Sequence, residues 1–239
     1  LALRHADEAM LAARQSRLSG VVGLGLAPTT AGVLGVPLIQ AMREQYPDIR
    51  IHLVEGMSGH LGQMLNAREI DLAVLFGAEQ ARRWTVRHLL DERIFFLCGA
   101  HGGPQQLPAT LEEIADTPLV LPTPRHGLRR VIDAAFSSLN RTPNIIAEVD
   151  SLPVLMDMVT AGMAASLQPW SALARQPEGG TRLRWLEMAD AGTMRRNLLC
   201  SLSDDELSPA ALATRGVLRQ VVGDLVASGS WKGVSKGHL

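Results

Sequence analysis

From Gly20 onward, short apolar runs alternate with stretches whose apolar residues recur every three or four positions, the pattern of buried strands interleaved with amphipathic helices. Residues 21–27 (VVGLGLA) are apolar throughout and stop at Pro28, as a strand covered on both faces does. Residues 29–47 place Leu34, Leu38, Ile39 and Met42 on one helical face, with Thr29 or Thr30 as the N-cap. A strand at 49–56, a helix at 58–69 capped by Ser58 and a strand at 70–77 complete a βαβαβ series, which right-handed crossovers fold into a parallel sheet. Residues 86–99 read as one or two further strands, and the Gly- and Pro-containing stretch 101–109 as a boundary.

A second α/β series follows. Helix 110–116 opens with Thr110 and Glu113 at capping-box spacing. Strand 118–123, helix 126–140, strand 144–150 and helix 151–162 come next, the last with Ser151 as cap and Gly162 as its stop. Strands at 163–170, 182–188 and 195–202 precede a closing helix at 208–229, with Ser208 as cap and Pro209 at its first position. Ahead of all this, residues 1–17 read as a charged, Ala-rich amphipathic helix without the apolar core of a signal peptide. The expected fold class is therefore α/β, with two Rossmann-like lobes in tandem.

Composition narrows the function classes. The chain of 239 residues is 46% hydrophobic and 20% charged, which excludes a disordered tail, and no apolar run reaches the ~18 residues of a membrane helix. A net charge of −1 gives no whole-chain attraction to nucleic acid or an anionic membrane, and 4% aromatics do not furnish stacking platforms. Two cysteines make neither a disulfide framework nor a zinc site, so a reducing compartment is expected. Cys98 and Cys200 lie on strands expected to cross between the lobes. They pack as small hydrophobes or, if brought close together, form a redox pair.

Catalytic and cofactor motifs are not found. The stretch from Gly23 to Pro28 begins like a dinucleotide fingerprint but has Pro where the third Gly belongs. There is no Walker A sequence, nucleophile elbow or HExxH, and the histidines show no metal-ligand spacing, so no cofactor, metal or enzymatic activity is expected. In open α/β sheets ligands bind beyond the carboxyl ends of the strands, and helix N-termini there favour anions. Thr29, Thr30, Ser58, Thr123, Arg125 and His126 stand at such places. Taken singly these residues read as helix caps; taken together they point to a small-anion cleft.

The order of segments resembles a known family. The strand VVGLGLAPTT, the helix ending REQYPDIRIHLVEG and the segment LGQMLNAREIDLAVLFG are similar to the first lobe of the effector-binding domain of LysR-type transcriptional regulators. ATLEEIADTPLVLPTPRHGLRRVIDAAF, EVDSLPVLMDMVTAGMAASLQPWSAL, the return RRNLLCSL and a helix ending ASGSW resemble the second half. The resemblance spans about residues 20–232. It implies a periplasmic-binding-protein-like (type 2) fold with two crossover strands: residues 1–19 ending a linker helix, 20–98 plus 200–235 forming lobe I, and 99–199 forming lobe II. Hinges are expected near Cys98–Gly99 and Leu199–Cys200.

The resemblance further implies a cytoplasmic homodimer, tetrameric in the full-length protein, that binds a small organic anion in the interlobe cleft. Effector contacts carry over to Thr29, Thr30, Ser58, Thr123 and Arg125, with His126, Met163 and Ala164 as weaker matches. DNA would be bound by an N-terminal winged helix-turn-helix that this chain lacks. LPTPRHGLRR and EVDSLP are similar to regulators answering to sulfonates, aromatic acids or nitrogen status. A periplasmic solute-binding protein of a transporter is the alternative, and an enzyme on a similar two-lobe fold a third reading.

Overall fold

The structure, a computed structural model, describes residues 18–76, 84–100, 102–104, 107–175 and 183–236. The helix expected at 1–17 lies outside the described residues. The first sheet runs β2 (Ile49–Glu55), β1 (Gly20–Leu26), β3 (Leu72–Phe76), β9 (Met194–Ser201), β4 (Thr85–Gly99), with β10 (Val234–Lys236) at its edge. β1 pairs in parallel with β2 and β3, as the βαβαβ series requires, while β9 returns antiparallel between β3 and β4. Strand β10 carried too few residues to register in the hydropathy pattern.

Every residue of β3 is buried, because helices cover both faces of the sheet. Leu72 and Val74 face the core under α1 (Pro28–Gln45) and α6 (Pro209–Ala227). Ala73 and Leu75 face the opposite core, with Leu61 and Leu65 of α2 (Ser58–Asn66). The near-fingerprint glycines serve this packing: a Cβ on Gly23 would sit 2.8 Å from the Ile70 Cα, and one on Gly25 2.8 Å from the Ile70 Cδ1. Asp71 locks the same corner, its carboxylate accepting the Gly23 N–H at 2.8 Å.

β4 is one continuous strand that serves both sheets. Thr85–Arg93 pairs with β9, while the residues from Ile94 onward pair with β7 (Ser166–Pro169) and β8 (Leu183–Glu187). β7 adjoins β5 (Leu119–Leu121) through the Val120 N–H to Ala165 carbonyl bond of 2.9 Å, and β5 pairs in parallel with β6 (Ile145–Glu148). The second lobe packs α3 (Leu111–Ile114), α4 (Gly127–Ser138) and α5 (Leu152–Thr160) on this sheet. Along β4 the pairing changes sheet at Arg93–Ile94, while β9 begins at Met194 within the first sheet; the hinges expected at Cys98–Gly99 and Leu199–Cys200 fall at the end of β4 and inside β9.

The cap expectations held in part. Thr110 and Glu113 form the capping box, Ser208 accepts the Ala211 N–H, and Gly162 (φ 71°) ends α5 in a left-handed turn. Ala27 and Met57, not Thr29, Thr30 or Ser58, are the N-caps of α1 and α2, and neither caps with a side chain. Ser151 is an N-cap whose hydroxyl makes no capping bond.

Cys98 and Cys200 are not neighbours. Cys200 lies opposite Val86, and Cys98 is twelve residues further along β4. At ~3.3 Å per residue that is about 40 Å. Burial pushes the Cys200 thiol up to about 12, and pushes Cys98 up against the pull of Arg184. Both stay protonated at neutral pH, so the small-hydrophobe reading holds.

Candidate functional site

The two lobes meet over the carboxyl ends of β1, β3 and β5. Contact is close: a Cβ on Gly127 at the start of α4 would lie 2.7 Å from the Phe76 carbonyl oxygen at the end of β3. Only a glycine admits that approach. Arg175 and Glu55 add an ion pair at 2.9 Å across the same seam. Between the lobes a cavity of only about 20 Å³ remains, lined by Pro28, Thr29, Pro122, His126, Leu128, Val149, Asp150, Leu152, Leu155, Gln168 and Arg195. That is room for a single water molecule.

Three helix N-termini converge there: α1 at Pro28–Thr29, α4 at its N-cap His126, and α5 just after Asp150. None of the three N-caps makes a side-chain capping bond, so first-turn N–H groups and the positive dipole ends remain available.

The wall behind the cavity is a buried ion pair. Glu92 on β4 and Arg195 on β9 are directly opposed cross-strand residues, both with 0% exposure. Arg195 donates from Nη2 (2.6 Å) and Nε (2.9 Å) to Oε2 of Glu92, and from Nη2 to the Thr29 hydroxyl at 2.8 Å. Glu92 also accepts from the Ser171 hydroxyl (2.6 Å), the Trp231 indole (2.9 Å) and the Asn197 amide (3.2 Å). Burial alone would raise the Glu92 carboxyl; the Arg195 charge and the donors from Ser171 and Trp231 outweigh it and hold it below its usual range. The guanidinium lies 3.9 Å from the centre of the Phe76 ring. Arg195 Nη1 and His126 Nδ1 are buried without a partner among the described residues.

His126 is 8% exposed and its imidazole is pushed down to about 4, first by burial and then by Arg195, with Asp150 pulling the other way. It is neutral at pH 7. The loop that delivers it is held by Arg129, which donates to the Pro122 carbonyl at 3.0 Å and to Glu148 at 2.6 Å.

The structure sorts the expected effector residues. Thr29 and His126 line the cavity. Thr30 is fully buried in the first turn of α1 behind it, its hydroxyl unpartnered among the described residues. Ser58 is buried but committed, its hydroxyl accepting the Phe76 N–H at 3.2 Å. Thr123 donates its N–H (2.9 Å) and hydroxyl (3.0 Å) to Asp150, so an internal carboxylate occupies the donors expected to meet a ligand. Arg125 is exposed at the seam, its carbonyl 3.7 Å from where a Gly59 Cβ would stand. Met163 and Ala164 are elsewhere, in a cavity of about 660 Å³ that also involves Cys98 and Pro118. They precede β7, and the cleft lies beyond its other end, because the strand runs toward it.

Glu92, Arg195, Asp150, Gln168, Ser171 and Trp231 were missed. A signal existed for two of them: LLDERIFF sets Asp91, Glu92 and Arg93 inside an apolar strand, and RRNLLCSL opens another with Arg195 and Arg196. Among the described residues no three His, Cys, Asp or Glu side chains form a metal-binding group, and no helix is long and apolar enough to cross a membrane.

Residues 15–223 match the LysR substrate binding domain. The nitrogen assimilation regulatory protein nac of Escherichia coli (strain K12) is 32% identical over 224 residues, covering 92% of this chain and 72% of that protein. Among solved structures, the effector binding domain of QuiR in complex with shikimate aligns with a TM-score of 0.76 at 19% identity, over 87% of this chain and 99% of that one. The Corynebacterium glutamicum OxyR C206 mutant aligns with a TM-score of 0.76 at 22% identity, over 98% of this chain and 75% of that one. At these identities the structural likeness concerns the fold.

Two outcomes follow from the buried groups. Glu92→Gln, which strands the Arg195 charge, should lower unfolding free energy by about 3–5 kcal/mol in urea titrations, while the double change Glu92→Leu with Arg195→Met restores most of it. The unfolded chain protonates His126 near 6.5 and the folded chain near 4. The resulting stabilisation is whole above pH ~6.5 and is lost as pH falls toward ~4, by at most roughly 3 kcal/mol. His126→Gln should flatten the melting-temperature profile over that window; an unchanged slope would assign the loss to another group.

Proposed function

This chain belongs to the LysR substrate-binding-domain family, the effector-binding part of LysR-type transcriptional regulators, and from that premise we propose that the cavity beside Thr29, His126 and Arg195 is the effector site. The effector is a small organic anion of the carboxylate or sulfonate class, aromatic acids included. One observation carries this reading: three helix N-termini without side-chain caps converge where a buried guanidinium keeps an unpaired N–H. The relatives that match along the sequence are named as regulators, which disfavours the solute-binding and enzyme readings.

A cavity of about 20 Å³ cannot hold an organic anion, so the lobes part to admit it and close again around it. A ligand shifts such an equilibrium only by its differential affinity for the two arrangements, and Arg195, held at the crossover itself, supplies that difference. We place the hinges at Arg93–Ile94, where the pairing of β4 changes sheet, and at Thr193–Met194 opposite, where β9 begins. Lobe movement would reorient a cytoplasmic homodimer, tetrameric in the full-length protein, and with it the winged helix-turn-helix heads that contact DNA. α1 offers the dimer surface: Val36 is 66% exposed and Ile39 38% exposed on its outer face.

Thermal melts against a panel of small carboxylates and sulfonates test the site. A true effector at 100 times its Kd should add about 2.7 kcal/mol of stability, and Thr29→Ala should weaken it about tenfold. A panel without any shift, or equal binding by Thr29→Ala, would sink the assignment. Light scattering at micromolar concentration should give a dimer, and Val36→Glu should convert it to a monomer.

A further inference from the structure

We propose that the ligand of this cavity is zwitterionic, a small aliphatic α-amino acid whose carboxylate meets the unpaired Arg195 N–H and whose ammonium group meets the Asp150 carboxylate. The inference rests on the effector-site reading above and adds to it the ligand's second charge and its side chain.

The charge count argues first. Arg195 is already matched by Glu92 at 2.6 Å, and Asp150 is the only carboxylate lining the cavity among the described residues. A ligand bearing one negative charge alone would meet side chains whose charges already sum to a single negative charge once Glu92 behind the wall is counted, with only the helix N-termini to offset it. Such a charge is strongly disfavoured away from water unless it is paired. A zwitterion brings its own counter-charge. His126, its imidazole pushed down first by burial and then by Arg195, is neutral and supplies none.

Asp150 also has unused capacity. Among the described residues its two oxygens accept only from Thr123: the N–H and hydroxyl at Oδ1 (2.9 and 3.0 Å) and the same hydroxyl at Oδ2 (3.0 Å). A carboxylate offers about four acceptor positions, which leaves room for an ammonium donor. Thr123 holds the carboxylate in place, so the group is oriented before the ligand arrives. Asp150 is exposed and Arg195 is fully buried, and both line the cavity. The lining also includes the aliphatic Leu128, Val149, Leu152 and Leu155, with no Phe, Tyr or Trp among the lining residues. It suits a branched alkyl side chain.

Calorimetry on the 239-residue chain tests this with matched probes: leucine and valine, their deaminated acids 4-methylpentanoate and 3-methylbutanoate, and the amines 3-methylbutylamine and 2-methylpropylamine. At least one amino acid should bind about tenfold or more tighter than both of its truncated partners. Asp150→Asn, at an exposed position and still able to accept from Thr123, should remove that advantage while leaving the acid's affinity unchanged or raised. Acids that bind as tightly as the amino acids, or an Asp150→Asn variant that weakens both equally, would overturn the proposal. If acids or sulfonates bind and amino acids do not, only the zwitterion fails. If no probe of any class binds, the effector-site reading fails with it.

Discussion

Glu92 and Arg195 face each other across neighbouring antiparallel strands with no solvent exposure, at the point where β4 leaves one lobe for the other. Two charges in such a place cost several kcal/mol each to desolvate, and only near-complete satisfaction of their donors and acceptors offsets that cost. Each satisfying partner comes from a different element: Thr29 from α1, Ser171 from the turn after β7, Asn197 from β9 and Trp231 from the segment after α6. The pair therefore ties together both lobes, the crossover and the C-terminal segment. A shift of either lobe disturbs its hydrogen bonds.

That dependence links stability to sensing. A core of leucines at the crossover would hold the lobes as well or better, since buried ion pairs are often no more stable than apolar replacements. What the pair provides is a guanidinium at the crossover, with one nitrogen left without a partner among the described residues. On the proposed reading, a ligand reaching it would act on the bonds that tie the lobes together. Uncapped helix N-termini at the same spot add favourable potential without adding a mobile charge. The close approach of Gly127 to Phe76 makes the closed arrangement tight enough for small changes at the cavity to be felt across the seam.

The chain's own groups also alter which of its polar atoms the cleft leaves free. The sequence places hydroxyls at Thr123 and Ser58, and the fold engages both, Thr123 donating to Asp150 and Ser58 accepting the Phe76 N–H. Donors that look free in a sequence are free only if nothing nearer accepts from them. Here the capping-residue pattern led to Thr29 and His126, which line the interlobe cavity, and did not mark Asp150, Gln168 or Arg195, which line it too.

The amino-acid sequence by itself determined the alternation of strands and helices, the two-lobe α/β class and the family, because these follow from hydrophobic period, turn residues and segment order. β3 shows why: LAVLF can be satisfied only between two helical layers, whatever the rest of the chain does. The sequence also placed Thr29 and His126 at a strand's carboxyl end, where they line the cleft. Tertiary structure alone decided that Glu92 would meet Arg195 from 103 residues away, that Asp150 would take Thr123, and that Met163 and Ala164 would fall at the far end of lobe II. Those outcomes depend on register and on which end of a strand faces the seam. A one-residue slip in either crossover strand would turn Glu92 or Arg195 to the opposite face, and local pattern carries no record of that pairing.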